Sequence, residues 1–279
     1  MTAVAACRVP LPGDVPWAAR AVSNLAVLAR RNLIHIRRAP AQLSDATIQP
    51  VVFTLLLIWV VGAAVPVRGG YAQFAVAGSL ALNLTTAAVG TAVGLAADLS
   101  TGTIQRFGTL PIWRPAVLAG RSVADLITAA LAAVIVGLTG LAAGWRPHAG
   151  VGPVLGALGL AVLFAYALSW ACGCLGITAK DAESASSAGF IILFLLAMVS
   201  NAVVPTQGMP AWLRQIADWN PVSAMTAGVR QLCGNPNPSA SIGAWPMQHP
   251  VLASVLWSIA IIAVFAPLAA RLYYRRTTT

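Results

Sequence analysis

Charged side chains make up only 9% of the 279 residues, where a soluble domain carries about 25%. That scarcity excludes an ordinary globular domain. Cysteine is confined to Cys7, Cys172, Cys174 and Cys233, two of them inside one apolar run and the others isolated, so no metal-ligand spacing is present. Buried packing is their expected role. His35, His148 and His249 stand apart without a partner at helical spacing, which argues against a zinc site. The one lysine, Lys180, follows Thr178 and Ala179, and no GxxxxGK[ST] loop occurs, so the chain lacks that means of holding ATP. HExxH and GxSxG are absent too, and with them the usual parts of a membrane hydrolase. No carboxylate interrupts the apolar runs away from their ends, which weakens a proton-coupled mechanism, since such relays use membrane-embedded Asp, Glu or His.

What fills the chain instead is apolar: 58% of residues are hydrophobic, with a mean hydropathy of +0.80. Uninterrupted runs of about 20 residues match what a helix needs to cross the hydrocarbon core. The expected class is an all-α polytopic membrane protein. The net charge of +10 sits in short clusters beside these runs, the pattern that sets membrane topology, and no nucleic-acid partner is expected.

Residues 1–16 hold three prolines and no charged-then-apolar leader pattern, so they read as a cytoplasmic tail. From Trp17 to Arg38, Val22, Leu25, Ala29, Leu33 and Ile36 share one helical face and Arg20, Arg31 and Arg38 lie opposite. That is a basic amphipathic helix, suited to the headgroup plane with its arginines toward anionic lipid. Pro40 is expected to end it. Six spans follow, at about 47–66, 72–97, 126–145, 153–178, 185–204 and 251–270. They form one membrane domain over 46–270, between a segment 1–45 and a basic tail 271–279. In the second span Ser79, Asn83, Thr86, Gly90 and Gly94 lie within about 80° of one another. Close helix packing through Gly90-x-x-x-Gly94 and the lining of a substrate path are both open, with packing favoured; Asn83, Thr86 and Asn201 are the path candidates. Trp145 and Arg146 are expected at an interface, and Lys180 to Glu183 form a tight charged hairpin.

Beyond Pro205, Trp212, Ile216 and Trp219 recur at helical spacing up to Asn220-Pro221, an interfacial pattern. Val222 to Cys233 is too short to cross and must lie flat or re-enter. Gly234 to Pro250 reads as a proline-rich loop. With a cytoplasmic N-terminus the inner side gathers six basic residues from the first segment, three from 98–125, Lys180 and three from the tail, 13 of the 17. Arg68, Arg146, Arg214 and Arg230 remain outside, the asymmetry of the positive-inside rule.

The long polar interruption between Asp98 and Asp125 carries Arg106, Arg114 and Arg121. Gly102 and Gly108 permit turns, Phe107 and Trp113 offer apolar anchors, and Arg106 offers a charge, a combination suited to docking in a cleft of a soluble partner. A solvated loop with topogenic arginines is the plainer alternative.

The chain resembles the permease subunits of ABC-2 type exporters, in particular the daunorubicin-resistance branch. The resemblance rests on the basic amphipathic helix, on Asp98, Gly102, Arg106, Phe107, Leu110, Pro111 and Pro115, and on Pro205, Met209-Pro210, Trp212, Asn220-Pro221 and Arg230. It implies two permeases, self or paralogue, around a path, above two ABC ATPase subunits that hold ATP and Mg, this chain itself having no cofactor and no catalytic site. Asp98, Gly102, Arg106, Phe107, Leu110, Pro111 and Trp113 would then belong to a coupling helix between spans 2 and 3, while Pro205, Pro210, Trp212, Asn220, Pro221 and Arg230 would form an external gate. An ATP-independent transporter or channel, or a membrane scaffold, are the competing expectations.

Overall fold

The computed structural model describes residues 40–65, 70–100, 115–238 and 244–278, with side chains described from 47 to 65, 70 to 100, 125 to 238 and 244 to 276. The described residues form helices and turns without a strand: α1 (Pro40–Leu56), α2 (Tyr71–Ser100), α3 (Pro115–Ala142), α4 (Val151–Thr178), α5 (Ala182–Met198), α6 (Ala211–Trp219), α7 (Pro221–Leu232), α8 (Trp245–Gln248) and α9 (Pro250–Thr278). Helix α1 runs on through a π turn, Leu57–Val61, into Gly62–Ala64. The amphipathic segment 17–38 lies outside the described residues.

Prolines correct the boundaries expected from the sequence. Pro40 opens α1, while the helix it was expected to end lies outside the described residues, and Pro115 opens α3, so the second half of the expected 98–125 loop is helical. Asp98 belongs to the last turn of α2, which leaves only 101–114 between the two helices. Pro221, Pro246 and Pro250 likewise stand at the starts of α7, α8 and α9, so the expected 234–250 loop contains a helical turn. The cause is common to all: proline lacks the N–H that a first helical turn would leave unused, and its fixed φ suits that position.

Among the described residues five stretches are long and apolar enough to cross a membrane: Thr47–Ala64, Tyr71–Ser100, Asp125–Ala142, Val151–Thr178 and Pro250–Arg276. The run expected as a span over 185–204 is different. Its helix, α5, has 17 residues and stops at Met198, giving roughly 25 Å at ~1.5 Å per residue against a hydrocarbon core of about 30 Å. Its N-terminus is capped by Asp181, whose side chain accepts from the Ser184 N–H at 2.7 Å while the Ser184 hydroxyl accepts from the Asp181 N–H. These bonds from Ser184, backbone first, hold the Asp181 carboxyl below its usual range.

Helix α2 is the most enclosed span and packs against α1, α3, α4, α5 and α7. Small residues let its neighbours approach, but not the pair expected. A Cβ at Gly90 would meet nothing within 4 Å, whereas one at Gly78 would fall 1.7 Å from the Ala202 carbonyl oxygen. Gly90 and Thr86 instead face outward. The wheel grouped these residues correctly, but the helix rotates that face away from its own bundle except at Ser79 and Asn83, both buried.

Gly78→Ala therefore forces backbone apart, at a cost of about 1–3 kcal/mol or more, and is expected to lower the unfolding midpoint of the purified protein. Gly90→Ala is expected to leave it unchanged or raise it. Equal midpoints for the two variants in a detergent melting assay would contradict this packing.

Candidate functional site: the polar cluster built on the end of α5

After Met198 the chain does not return to the surface. Ser200, Asn201 and Ala202 are buried, and their polar backbone needs partners wherever water is excluded. The following helices supply them. Asn220 caps α7 by accepting from the Val222 N–H at 2.8 Å. Its amide nitrogen donates to the carbonyls of Leu196 at 2.7 Å and Val199 at 2.5 Å. One side chain thus starts one helix and finishes another. The Ser223 hydroxyl accepts from the Asn201 N–H at 2.9 Å, and the Ser200 hydroxyl accepts from the Ala202 N–H at 3.1 Å. Tyr71, at the start of α2, donates its hydroxyl to the Val203 carbonyl at 2.9 Å.

Arg230 completes the set. It comes from the last turn of α7, a helix enclosed from Val222 through Arg230, and it is 1% exposed. Its Nε donates to the Phe74 carbonyl at 3.1 Å; one terminal nitrogen donates to the Asn201 and Ala202 carbonyls at 3.0 and 3.3 Å. The guanidinium carbon lies 3.5 Å from the centre of the Phe74 ring. Burying such a charge costs several kcal/mol. Hydrogen bonds from a charged donor contribute about 1.5–3 kcal/mol each, and a desolvated cation–π contact about 2 kcal/mol. Three carbonyls and a ring hold Arg230, whose other terminal nitrogen is buried without a hydrogen-bond partner among the described residues. Two of the carbonyls follow the C-terminus of α5, where the helix dipole also favours a cation.

The outer rim is fastened separately. Asp218 of α6 accepts from the Thr206 hydroxyl at 3.3 Å and the Ala244 N–H at 3.2 Å. Trp145, expected at an interface, is buried and donates its Nε1 to Asn235 at 3.1 Å; Asn235 in turn donates to Gln73 at 2.6 Å. These bonds tie the α3–α4 turn and the end of α7 to the start of α2.

The sequence candidates separate into three places. Asn201, Asn220 and Arg230 meet in this cluster, with Pro221 starting α7, while Pro205 and Pro210 precede a 3₁₀ turn and α6. Asn201 does not join Asn83 and Thr86. Asn83 donates to the Ser79 carbonyl at 2.8 Å, and Ser79 shares a hydrogen bond of 2.5 Å with Thr54 of α1; the Thr86 hydroxyl donates back to Leu82 at 2.9 Å. Trp212, 66% exposed, points outward from α6 with Ile216 and Trp219. Of the coupling candidates only Asp98 is described; Gly102, Arg106, Phe107, Leu110, Pro111 and Trp113 lie outside the described residues, as do Arg20, Arg31 and Arg38. Sequence reasoning missed Tyr71, Phe74, Ser223 and Asp218, which carry no motif of their own. Cys172, Cys174 and Cys233 are buried and unpaired in disulfides, and the described residues contain no group of three metal-ligating side chains.

Removing the guanidinium strands buried carbonyls. Arg230→Ala is expected to cost about 3–5 kcal/mol and Asn220→Ala about 1–3 kcal/mol, read as lost folded protein and a lowered unfolding midpoint in detergent. Arg230→Lys, which cannot reach three carbonyls with a planar fork, should fall between wild type and Arg230→Ala. Wild-type stability of Arg230→Ala would dismiss the cluster as a structural support.

Known proteins resemble this chain in sequence. The model of the ABC-2 type transporter family matches residues 23–233. The daunorubicin resistance ABC transporter permease protein DrrB1 of Streptomyces coeruleorubidus is 31% identical over 262 residues, covering 94% of this chain and 89% of that protein. The probable doxorubicin resistance ABC transporter permease protein DrrC of Mycobacterium tuberculosis is 25% identical over 273 residues, covering 96% and 94%. Matched along most of its length and built of membrane-length apolar helices, the chain belongs to the ABC-2 type transporter family and is a multi-pass membrane permease subunit.

Proposed function

We propose that this permease exports a hydrophobic or amphipathic substrate, a drug, lipid or glycolipid, by alternating access driven by two separate ABC ATPase subunits. Those subunits would hold ATP and Mg. A second permease, a copy or a paralogue, completes the conduit, and the wide outward face of α5, with Phe190, Ile191, Phe194 and Leu195 exposed, is a surface such a partner can cover. The drug-resistance names of two relatives support the substrate class.

The observation that carries this reading is the separation of two unlike ends along α2. Tyr71 and Phe74 join the α5 gate at one end; Ser100 leads into 101–114 at the other. From Phe74 to Ser100 the rise is roughly 39 Å at ~1.5 Å per residue, more than the ~30 Å hydrocarbon core. Lys180, Arg271, Arg275 and Arg276 belong to the end that holds 101–114, as the Arg276 bond to the α4 terminus requires. By the positive-inside rule that end is cytoplasmic. On this orientation both termini are cytoplasmic, α5 with 199–205 forms the sixth crossing, and α7 re-enters from outside. Residues 101–114 then meet the ATPase, with Phe107 and Trp113 as anchors and Arg106 as a charge contact. ATP-driven closure pushes this segment and rocks the bundle, so that the gate of Asn220 and Arg230 opens outward.

In inverted vesicles, the permease together with its ABC ATPase subunit should accumulate daunorubicin or a fluorescent phospholipid in an ATP-dependent, vanadate-sensitive way. Neither protein alone should do so. Phe107→Asp should release the ATPase from the membrane and abolish the flux. ATP-driven uptake by the permease alone, or full co-purification and flux with Phe107→Asp, would refute the proposal.

A further inference from the structure

At the end opposite the gate a second apolar cluster stands apart from the main core. Leu95 of α2, Cys174 and Ile177 of α4, and Ala269 and Tyr273 of α9 are buried against one another, with Leu99 of α2 packed beside them. The Cys174 thiol donates to the Phe265 carbonyl at 3.4 Å. Three helix ends, one of which leads directly into 101–114, are thereby held in contact.

Arg276 closes this cluster from outside. Arg276, in the last turn of α9, donates from one terminal nitrogen to the carbonyl of Ile177 and, at 2.9 Å, to that of Ala179. Both oxygens belong to the C-terminus of α4, where carbonyls lack helical partners and the dipole is negative. The clasp thus joins the last crossing to the turn from which α5 begins, and α5 carries the gate at its far end.

We infer that Arg276 is a positioning residue for transport: it ties the cytoplasmic end of α9 to that of α4, which packs with α2 in the same apolar cluster, so that a push on 101–114 moves α2, α4 and α9 together as one lever. This rests on the exporter reading above, in which 101–114 meets the ATPase. Without the clasp, α2 and α4 can yield to that push while α9, on which α7 of the gate packs, lags. ATP is then hydrolysed without a matching movement of the gate.

The test compares wild type, Arg276→Gln, Arg276→Lys and Arg271→Gln in the reconstituted complex with its ATPase, measuring daunorubicin or fluorescent phospholipid moved per ATP hydrolysed. Arg271 is exposed on the same helix and controls for lost charge. Arg276→Gln is expected to lower the ratio about fivefold or more, the size of a ~1 kcal/mol coupling loss, with ATPase activity per assembled complex retained. Lysine can still donate to helix-end carbonyls, so Arg276→Lys should recover much of the ratio, and Arg271→Gln should match wild type. Loss of complex alone would lower both rates and leave their ratio intact, and that outcome overturns the inference. A wild-type ratio in Arg276→Gln, or an equal fall in Arg271→Gln, overturns it as well. If the wild-type complex shows no ATP-driven movement of either probe, the exporter reading itself falls and the lever with it.

Discussion

A helix that stops short inside a bundle leaves backbone that water cannot reach, and the rest of this structure is arranged around that constraint. Helix α5 ends at Met198, yet the next residues stay enclosed. Each exposed carbonyl or N–H would cost about 1–3 kcal/mol if left without a partner. Asn220, Ser223, Arg230 and Tyr71 supply those partners from α7 and α2. This explains why a short helix carrying an arginine is enclosed rather than laid flat on the surface. It also explains why Gly78 has no side chain: the Ala202 carbonyl occupies that space.

Helix α2 connects this cluster to everything at the opposite end. Its first turns contribute Tyr71 and Phe74 to the cluster, its middle holds Ser79, itself bonded by Asn83, against Thr54 of α1, and its last turns contribute Leu95 and Leu99 to the second, apolar cluster. Thr91 accepts the task of holding α3, donating to Asp125 at 2.8 Å. A rigid rod with specific polar bonds at several heights can transmit displacement without dissipating it in side-chain rearrangement, because packed interiors are dense and weakly compressible.

The apolar runs were legible because length and hydropathy alone determine what can lie in hydrocarbon. They located α2 and α4 closely, and the charge asymmetry gave an orientation. Less legible was the role of proline. Pro40 and Pro221 were read as the ends of preceding stretches, and neither they nor Pro115 were read as helix starts, yet each opens a helix, since the same missing N–H that breaks an interior is harmless at a first turn. The run over 185–204 is interrupted where α5 stops only by Ser200 and Asn201, a signal too slight to mark a break, and the distant side chains of Asn220 and Arg230 are what partner the backbone there. Gly90-x-x-x-Gly94 satisfied a packing pattern, yet a pattern cannot say which neighbour a face meets. Arg230 was singled out as part of a gate, whereas its contacts, three carbonyls and a phenyl ring, required the fold.

The central claim is that residues 199–203 are interior backbone held by protein groups. Hydrogen–deuterium exchange of the permease in lipid nanodiscs, resolved over 196–206, tests it most directly. Protection lasting minutes to hours, comparable to that of α5 and α7, is the expected result. Exchange at the rate of an open aqueous loop would contradict it.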